Sequence, residues 1–380
     1  MMRYAETLAA RGDRVDVIAL RRRDGDPDVT INGVNVRKIQ TRNRDERGRS
    51  AYLFRLLAFL LRSAWTVERR HRRIHYDLIH VHSVPDFLVL AALMPKLTGA
   101  KIILDIHDVL PELYVSKFSS GRHLLAFKFL LLVERASARI ADHVIIANDI
   151  WRERLVARSV RGDKCTAILN FPDRSIFRRT RKRRKDERFV FLYPGTISWH
   201  QGLDLAIRAF ARIHDRAPHA EFHIYGQGPA GHELVDLAHQ LGLDGRFHIH
   251  DCVPLREIVG VMQDADVGVV PKRGDSFGNE AFSTKTLEFM SLGVPLIVAA
   301  TAIDRFYFND SLVRFFRCGD EEDLAAAMLQ LIEDPMLRHQ LALNGLEFAS
   351  LNDWENKKHL YLDIVDSLTS SADSRQRTKS

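Results

Sequence analysis

A short apolar run, a loop and a helix-length amphipathic segment follow one another again and again along this chain, and that succession limits its fold more than any other feature. In the first half it reads as a strand over 78–82, a helix over 87–97 and a strand over 101–106. A helix ending at Ala141 and a strand over 143–148 follow. The second half repeats it with FVFLYPG, a helix beginning near Leu203, AEFHIYG, a helix ending at Leu241, RFHIHDCVP, VGVVP and LIVAA. Strands that alternate with helices build parallel sheets covered on both faces, an α/β architecture. The 380 residues suffice for two such domains. The almost wholly charged stretch 174–188 reads as the linker between them.

Charge is divided unevenly between the halves. Residues 1–188 hold 39 Lys and Arg against 22 Asp and Glu, whereas residues 189–380 hold 17 against 27. A basic half suits nucleic acid, an anionic membrane surface or an anionic substrate. No zinc-finger, RNA-recognition or helix-turn-helix pattern accompanies it, which sets nucleic acid aside. A solvated arginine-rich face accounts for the same letters. The helix expected over 51–74 opens with the apolar AYLFRLLAFLL and ends with the basic VERRHRRIH. It suits an interfacial helix on an anionic bilayer and equally a core helix with a solvated end. The run LLAFKFLLLV over 124–133 poses the same choice.

No apolar run reaches the roughly 18 residues that span a bilayer, and no signal peptide precedes Arg3. A cytoplasmic chain, at most peripheral on the inner membrane face, is therefore expected. Cys165, Cys252 and Cys318 lack the spacing of a disulfide framework or zinc site, which fits a reduced compartment. His80 and His82 share one face of a strand. The sequence identifies no third ligand for a metal, so packing or hydrogen bonding is their expected role.

The chemistry concentrates in NEAFSTKTLEFMSLGVP, residues 279–295. Leu287, Met290 and Leu292, with Gly293 and Pro295 behind them, mark a short helix over 284–292. Its free amides and positive dipole end point toward Ser283 and Thr284, which makes an anion site that Lys285 reinforces. Glu280 precedes the helix and Glu288 lies one turn inside it. Carboxylates for sugar hydroxyls, and amides plus an ammonium for phosphate, suit a polyhydroxyl ligand bearing a diphosphate. A surface helix with ordinary charges is the plain alternative. A second concentration is LDIHDVLPELY over 104–114, which sets His107, Asp108 and Glu112 just past a strand's carboxyl end, where open α/β sheets hold ligands.

These two stretches, with Asn170-Phe171-Pro172-Asp173, resemble the motifs of family 4 glycosyltransferases, retaining enzymes of the GT-B architecture with two facing Rossmann-like domains of parallel sheets. The resemblance implies that Glu280 contacts the donor sugar and Glu288 the ribose hydroxyls. The segment 282–285, including Ser283, Thr284 and Lys285, would hold the diphosphate. His107 would line the catalytic cleft, with Asp108 and Glu112 on the acceptor side. It further implies an acceptor domain over 1–173 and a nucleotide-sugar domain over 189–350. A helix over 351–368 would return to the first domain, and a disordered tail would occupy 369–380. The implied reaction moves a sugar, with retention, from a nucleotide diphosphate donor to a glycan or lipid-linked acceptor, in cell-surface polysaccharide assembly. No catalytic metal or cofactor is expected.

Three departures qualify the resemblance. The family's first strand and its acceptor-side glycine loop have no counterpart ahead of the helix over 1–10, so the first strand is expected to be missing through a late start or a true shortening. The family's Arg after Gly195 and its Lys five residues later are here Thr196 and Gln201, and His200 is a candidate helper. Finally, Gly226-Gln227-Gly228-Pro229-Ala230-Gly231 is literally a GxGxxG pattern. Because it follows the second strand of its domain and contains a proline, Gly226 and Gly228 read as close-approach glycines bordering the donor. Backbone near Cys252 and Val253 would read the base. Asp264-Ala265-Asp266 is rejected as a metal-binding DxD. A non-catalytic relative, and an NAD-dependent oxidoreductase or sugar-nucleotide epimerase, stand as alternatives.

Overall fold

The computed structural model describes residues 2–21, 28–41, 49–83, 85–117, 124–180, 184, 186–275 and 277–377. The chain divides into two compact units, Met1–Ile168 with Lys358–Ser380, and Leu169–Lys357. Parts of the arginine-rich loop (22–27 and 42–48), of the expected linker (181–183 and 185) and the last three residues lie outside the described residues.

The first unit opens with α1 (Met2–Arg11), β1 (Asp16–Arg21), β2 (Asp28–Ile31) and β3 (Val34–Thr41). The Asn-Gly turn forms as its letters require: Asn32 and Gly33 take φ of 48° and 80°, the left-handed pair of a type I′ hairpin. β3 joins β1 in parallel and β2 antiparallel, in the order β1-β3-β2. Ala5, Val34 and Val36 form a small core beneath them.

Next come α2 (Arg49–Ile74), β4 (Leu78–His82), a 3₁₀ turn over Asp86–Ala92 and α3 (Leu93–Leu97). One helix was expected over 87–97. Pro95 explains the break, since in a continuous helix its ring would collide with the carbonyl of Ala91. β5 (Lys101–Ile106), α4 (Leu110–Lys117), α5 (Leu124–Ile140), β6 (His143–Ile146), α6 (Asp149–Arg158) and β7 (Cys165–Ala167) complete a parallel sheet ordered β4-β5-β6-β7. No ladder joins β1 to β4 among the described residues. Instead the Tyr4 ring of α1 lies against His80 and His82 of β4, with centroids 5.2 and 6.0 Å apart.

The second unit contains β8 (Phe189–Pro194), a 3₁₀ turn over Trp199–Gln201, α7 (Leu203–Ala211), β9 (Ala220–Tyr225), α8 (Gly231–Gln240), β10 (Phe247–His250) and α9 (Leu255–Gln263). It continues with β11 (Val267–Val270), α10 (Thr284–Ser291), β12 (Leu296–Ala299), α11 (Ala302–Tyr307), β13 (Arg314–Phe316), α12 (Glu321–Glu333) and α13 (Pro335–Leu351). Its six strands are all parallel in the order β10-β9-β8-β11-β12-β13. β8, β11 and β12 are buried along their whole length, as unbroken apolar runs in a doubly covered sheet must be. The strand order reverses between β8 and β11, which leaves a crevice past their carboxyl ends. Open α/β sheets bind ligands at such a switch point.

Three expectations change here. The segment TAIDRFYFNDSLVRFF over 301–316, whose letters show no regular apolar period and read as irregular, forms α11 and the edge strand β13. Thr301 starts α11 by accepting from the Asp304 amide. The stretch 174–188 is packed onto the second unit where it is described. Phe177 is buried, the Thr180 amide donates to Gln263, and Arg184 pairs with Asp266 at 2.9 Å. The last helix, α14 (Trp354–Arg377), runs well past Thr369, where a disordered tail was expected. Ser367, Thr369 and Ser370 satisfy their hydroxyls on carbonyls three or four residues back, so their polarity does not compete with the helix.

Candidate active site

Two loops leave the switch point, 195–202 after β8 and 271–283 after β11, and the sequence staples each to the other. Gly202 takes φ 63°, and a Cβ on it would stand 2.1 Å from the Pro271 carbonyl oxygen. The Arg273 amide donates to the His200 carbonyl at 3.1 Å, and its guanidinium lies 3.6 Å from the Trp199 ring centre while gripping both oxygens of Asp204. His200 meets Asp275 at 2.9 Å, and Asp275 also caps the Gly278 amide. His200 is thereby engaged in holding the loops together.

α10 then begins in the second loop. Phe289 is fully buried and packs on β11 where Gly268 has no side chain; a Cβ there would lie 2.8 Å from the ring. Leu287 and Met290 are buried beside it. Each such side chain contributes about 2 kcal/mol by leaving water, which fixes the helix axis. Gly293, at φ 66°, ends the helix in the left-handed conformation. Ser283 occupies the N-cap position without making a side-chain cap bond. Its buried hydroxyl has no partner among the described residues. The amides of Thr284 and Lys285, in the first turn, have no acceptor within the helix.

Lys285 reaches back from this first turn over Gly195. A Cβ on Gly195 would stand 2.4 Å from the lysine Cε and 3.0 Å from Nζ, so only glycine leaves its path open. The ammonium lies 5.1 Å from the Tyr193 ring centre. It makes no ion pair with a carboxylate among the described residues. Burial lowers its pKa; Glu288 works against that shift, and Lys272 adds to it. An under-neutralised cation beside the first amides of a helix at a switch point is the arrangement by which helix starts hold anions. Glu288, half-buried in the second turn of α10, and Glu280, half-buried in the turn before it, supply carboxylates on the same short stretch.

The residue that sequence reasoning missed is Lys272. It is 5 % exposed, pairs with the fully buried Asp304 at 2.7 Å, and donates to the Ala281 carbonyl at 2.6 Å. It therefore pins the loop between Glu280 and Ser283. A lone lysine after a strand carries no motif, and Asp304 lay in the segment read as irregular.

The neutral replacements are placed as follows. Thr196 is exposed, and its carbonyl accepts from the Tyr193 hydroxyl at 3.1 Å. The amide oxygen of Gln201 accepts from the same hydroxyl at 2.9 Å. Gly226 and Gly228 are close-approach glycines, but what they approach is this protein's own backbone. A Cβ on Gly226 would stand 1.8 Å from the Gly195 carbonyl oxygen, and one on Gly228 would stand 1.9 Å from that of Ile197. The GxGxxG pattern thus seats the β9 turn on the β8 turn. Gly226→Ala is expected to destabilise the second unit by about 3 kcal/mol, because backbone cannot yield as a side chain can. Gly231→Ala, with nothing within 4 Å, should be neutral. Urea midpoints of the two variants check this; equal midpoints would contradict it. Cys252 and Val253 follow β10, two strands from β8. Asp266, of the rejected DxD, is held by Arg184 and accepts from the Val190 amide at 2.8 Å.

The remaining predicted site residues belong to the first unit. His107 follows β5, 3.1 Å from His82 by ring nitrogens, and burial lowers its pKa. Asp108 is half-buried next to it. Glu112 is committed elsewhere: Arg158 donates to both its oxygens at 2.6 and 3.0 Å and also pairs with the buried Glu134, bracing α4 and α5 against α6.

Family models cover nearly the whole chain: "Glycosyl transferase 4-like domain" matches residues 1–170, and "Glycosyl transferases group 1" matches residues 175–348. Among curated proteins, the D-inositol 3-phosphate glycosyltransferase of Thermomonospora curvata is 24% identical, over 96% of this chain and 88% of that protein. Among solved structures, sucrose-phosphate synthase from Thermosynechococcus elongatus superposes with a TM-score of 0.78 at 18% identity, over 97% of this chain and 92% of that one. Anabaena HepE, solved with UDP and glucose, gives 0.71 at 17% identity, over 96% and 95%. With two α/β units built on parallel sheets and family matches across both, this chain belongs to the group 1, family 4 glycosyltransferases and is a glycosyltransferase enzyme of GT-B fold.

Proposed function

We propose that the enzyme takes a sugar from a nucleoside diphosphate donor and transfers it with retention at the anomeric carbon. The observation that carries this reading is the Lys285 ammonium, without a carboxylate partner at ion-pair distance, beside the first amides of α10 and the partnerless Ser283 hydroxyl. These groups suit a diphosphate, with Glu288 on the ribose hydroxyls and Glu280 on the sugar. In the step itself the bond from the anomeric carbon to the diphosphate oxygen breaks as the acceptor oxygen bonds on the same face. The acceptor's proton passes to the departing phosphate. Negative charge therefore grows on the diphosphate, where Lys285 and the amides are already oriented. The test is proton NMR of the product formed from UDP-glucose and, in parallel, GDP- and ADP-sugars. An α-glycoside from an α-linked donor is expected, and a β-glycoside would refute retention.

The acceptor is proposed to be lipid-linked and reached at an anionic membrane surface. Along α2, Leu53, Leu57, Leu61, Trp65, Arg69 and Arg73 follow one another at four-residue spacing, and all are exposed. They form one ridge, apolar at its start and cationic at its end. Its basic end borders a cleft of about 440 Å³ lined by Arg14, Arg37, Arg69, Arg70 and Arg73. Co-sedimentation with phosphatidylglycerol vesicles, but not with phosphatidylcholine ones, is expected at moderate salt. Failure to sediment, with transfer to a soluble phosphorylated polyol retained, would favour an acceptor of the kind named for the Thermomonospora relative.

A further inference from the structure

Three histidines and one aspartate that the sequence scatters over 28 positions converge in the first unit. β4 puts His80 and His82 on one face, and the parallel register sets His82 opposite Asp105 of β5, with His107 two residues on. Asp105 is 2 % exposed. Its Oδ2 lies 2.9 Å from His82 Nδ1, 3.4 Å from His107 Nε2 and 3.5 Å from His80 Nε2. His82 Nδ1 and His107 Nε2 are 3.1 Å apart. Ligand atoms around a tetrahedral zinc, at about 2.0–2.1 Å from the metal, stand roughly 3.3 Å from one another. The separations of Asp105 Oδ2 from His82 and His80 fall on either side of that value, and the ligand atoms of His80, His82 and Asp105 all lie within 4.8 Å of one another, a grouping that leaves out His107.

Two further observations separate this cluster from an ordinary hydrogen-bond network. Asp105 Oδ2 and His80 Nε2 are buried, and neither has an aligned hydrogen-bond partner among the described residues, despite their closeness to other polar atoms. In addition, His80 Nδ1 meets the buried Tyr361 hydroxyl at 3.0 Å, so the ring's second nitrogen is anchored as in most metal-bound imidazoles. In the other grouping of this kind, Glu221, His223 and His248 on β9 and β10, both ring nitrogens of His223 are already bonded. His223 engages Glu221 at 2.8 Å and His250 at 2.9 Å, and Arg188 pairs with Glu221.

We propose that His80 Nε2, His82 Nδ1 and Asp105 Oδ2 bind one divalent first-row transition ion, of which zinc(II), with water in the fourth position, suits the two-nitrogen, one-oxygen set best. The ion would tie β4, the end of β5 and, through Tyr361, α14 into one assembly.

The test uses the full chain, stripped with a chelator and dialysed, then titrated with cobalt(II) and, in competition with a chromophoric chelator, with zinc(II). One equivalent of cobalt with the intense visible bands of a tetrahedral site is expected, displaced by zinc. Binding should weaken at least 100-fold in Asp105→Asn and His82→Ala, about 10- to 100-fold in Tyr361→Phe, and not at all in His248→Ala. Far-UV circular dichroism of each variant separates loss of ligand from loss of fold. If the folded wild-type chain binds no stoichiometric ion, or binds one that survives Asp105→Asn and is lost in His248→Ala, the assignment is overturned.

Discussion

Replacing Lys285 by methionine is expected to lower turnover about 10²- to 10³-fold, the usual cost of removing one preorganised charge from a developing anion, without lowering the urea midpoint. The two readouts diverge for one physical reason. Lys285 as a whole is half-buried, and burial already lowers the pKa of its ammonium. It has no ion-pairing carboxylate among the described residues to offset that cost. Methionine keeps the stem and removes the charge, so the fold loses nothing and the diphosphate loses its cation. Stability withheld at a binding site is the usual trade against activity. Arginine should not rescue the variant, because Cε and Nζ run so close to Gly195 that not even a Cβ fits there, and a guanidinium is bulkier. A Lys285→Met variant that turned over normally, or lost activity only in step with its fold, would exclude lysine from the chemistry.

The largest effect on stability is expected from Lys272→Met. Lys272 and Asp304 are 5 % and 0 % exposed, and Asp304 also takes a hydrogen bond from the Thr301 hydroxyl. Removing the lysine strands a fully buried carboxylate, which costs about 3–5 kcal/mol. The Ala281 carbonyl is freed at the same time, so the turn carrying Glu280 loosens and donor affinity falls with stability. The double variant Lys272→Met/Asp304→Leu should recover most of the midpoint, since a buried ion pair exchanged for apolar groups is often neutral. It should not recover donor affinity, because the tie to Ala281 stays broken. Chemical unfolding of the three proteins, read with nucleotide binding, checks both parts. Equal loss in the single and double variants would contradict the buried-charge explanation.

These two lysines also show what the sequence makes legible. Lys285 lies in a helix start whose signals are local, with apolar spacing, a Gly-Val-Pro stop and Ser-Thr before it, and all of them fall within one stretch. Its partner surface was legible too, because glycine at the end of β8 is a local backbone demand. Lys272 was not legible, since its meaning depends on Asp304, 32 residues on and held by a helix start of its own. The GxGxxG letters call for close approach, and what Gly226 and Gly228 approach is the Gly195–Ile197 backbone, which only the pairing of β8 with β9 brings there. His80 and His82 were seen to share a face. The register between β4 and β5 that delivers Asp105 and His107 to them is a tertiary fact. The two separate sheets of the first unit, and the helix that continues to Arg377, likewise depend on pairing and side-chain satisfaction that composition does not encode.

The central claim is that α10 and the loops at the β8–β11 switch point form a nucleoside diphosphate site. Calorimetric titration of the purified chain with UDP, GDP, ADP and NADH, repeated on Glu288→Ala, tests it most directly. One nucleoside diphosphate should bind at micromolar concentration and lose its affinity in the variant, while NADH gives no heat. A well-folded chain that binds none of the diphosphates, or binds one indifferently to Glu288→Ala, would contradict the account.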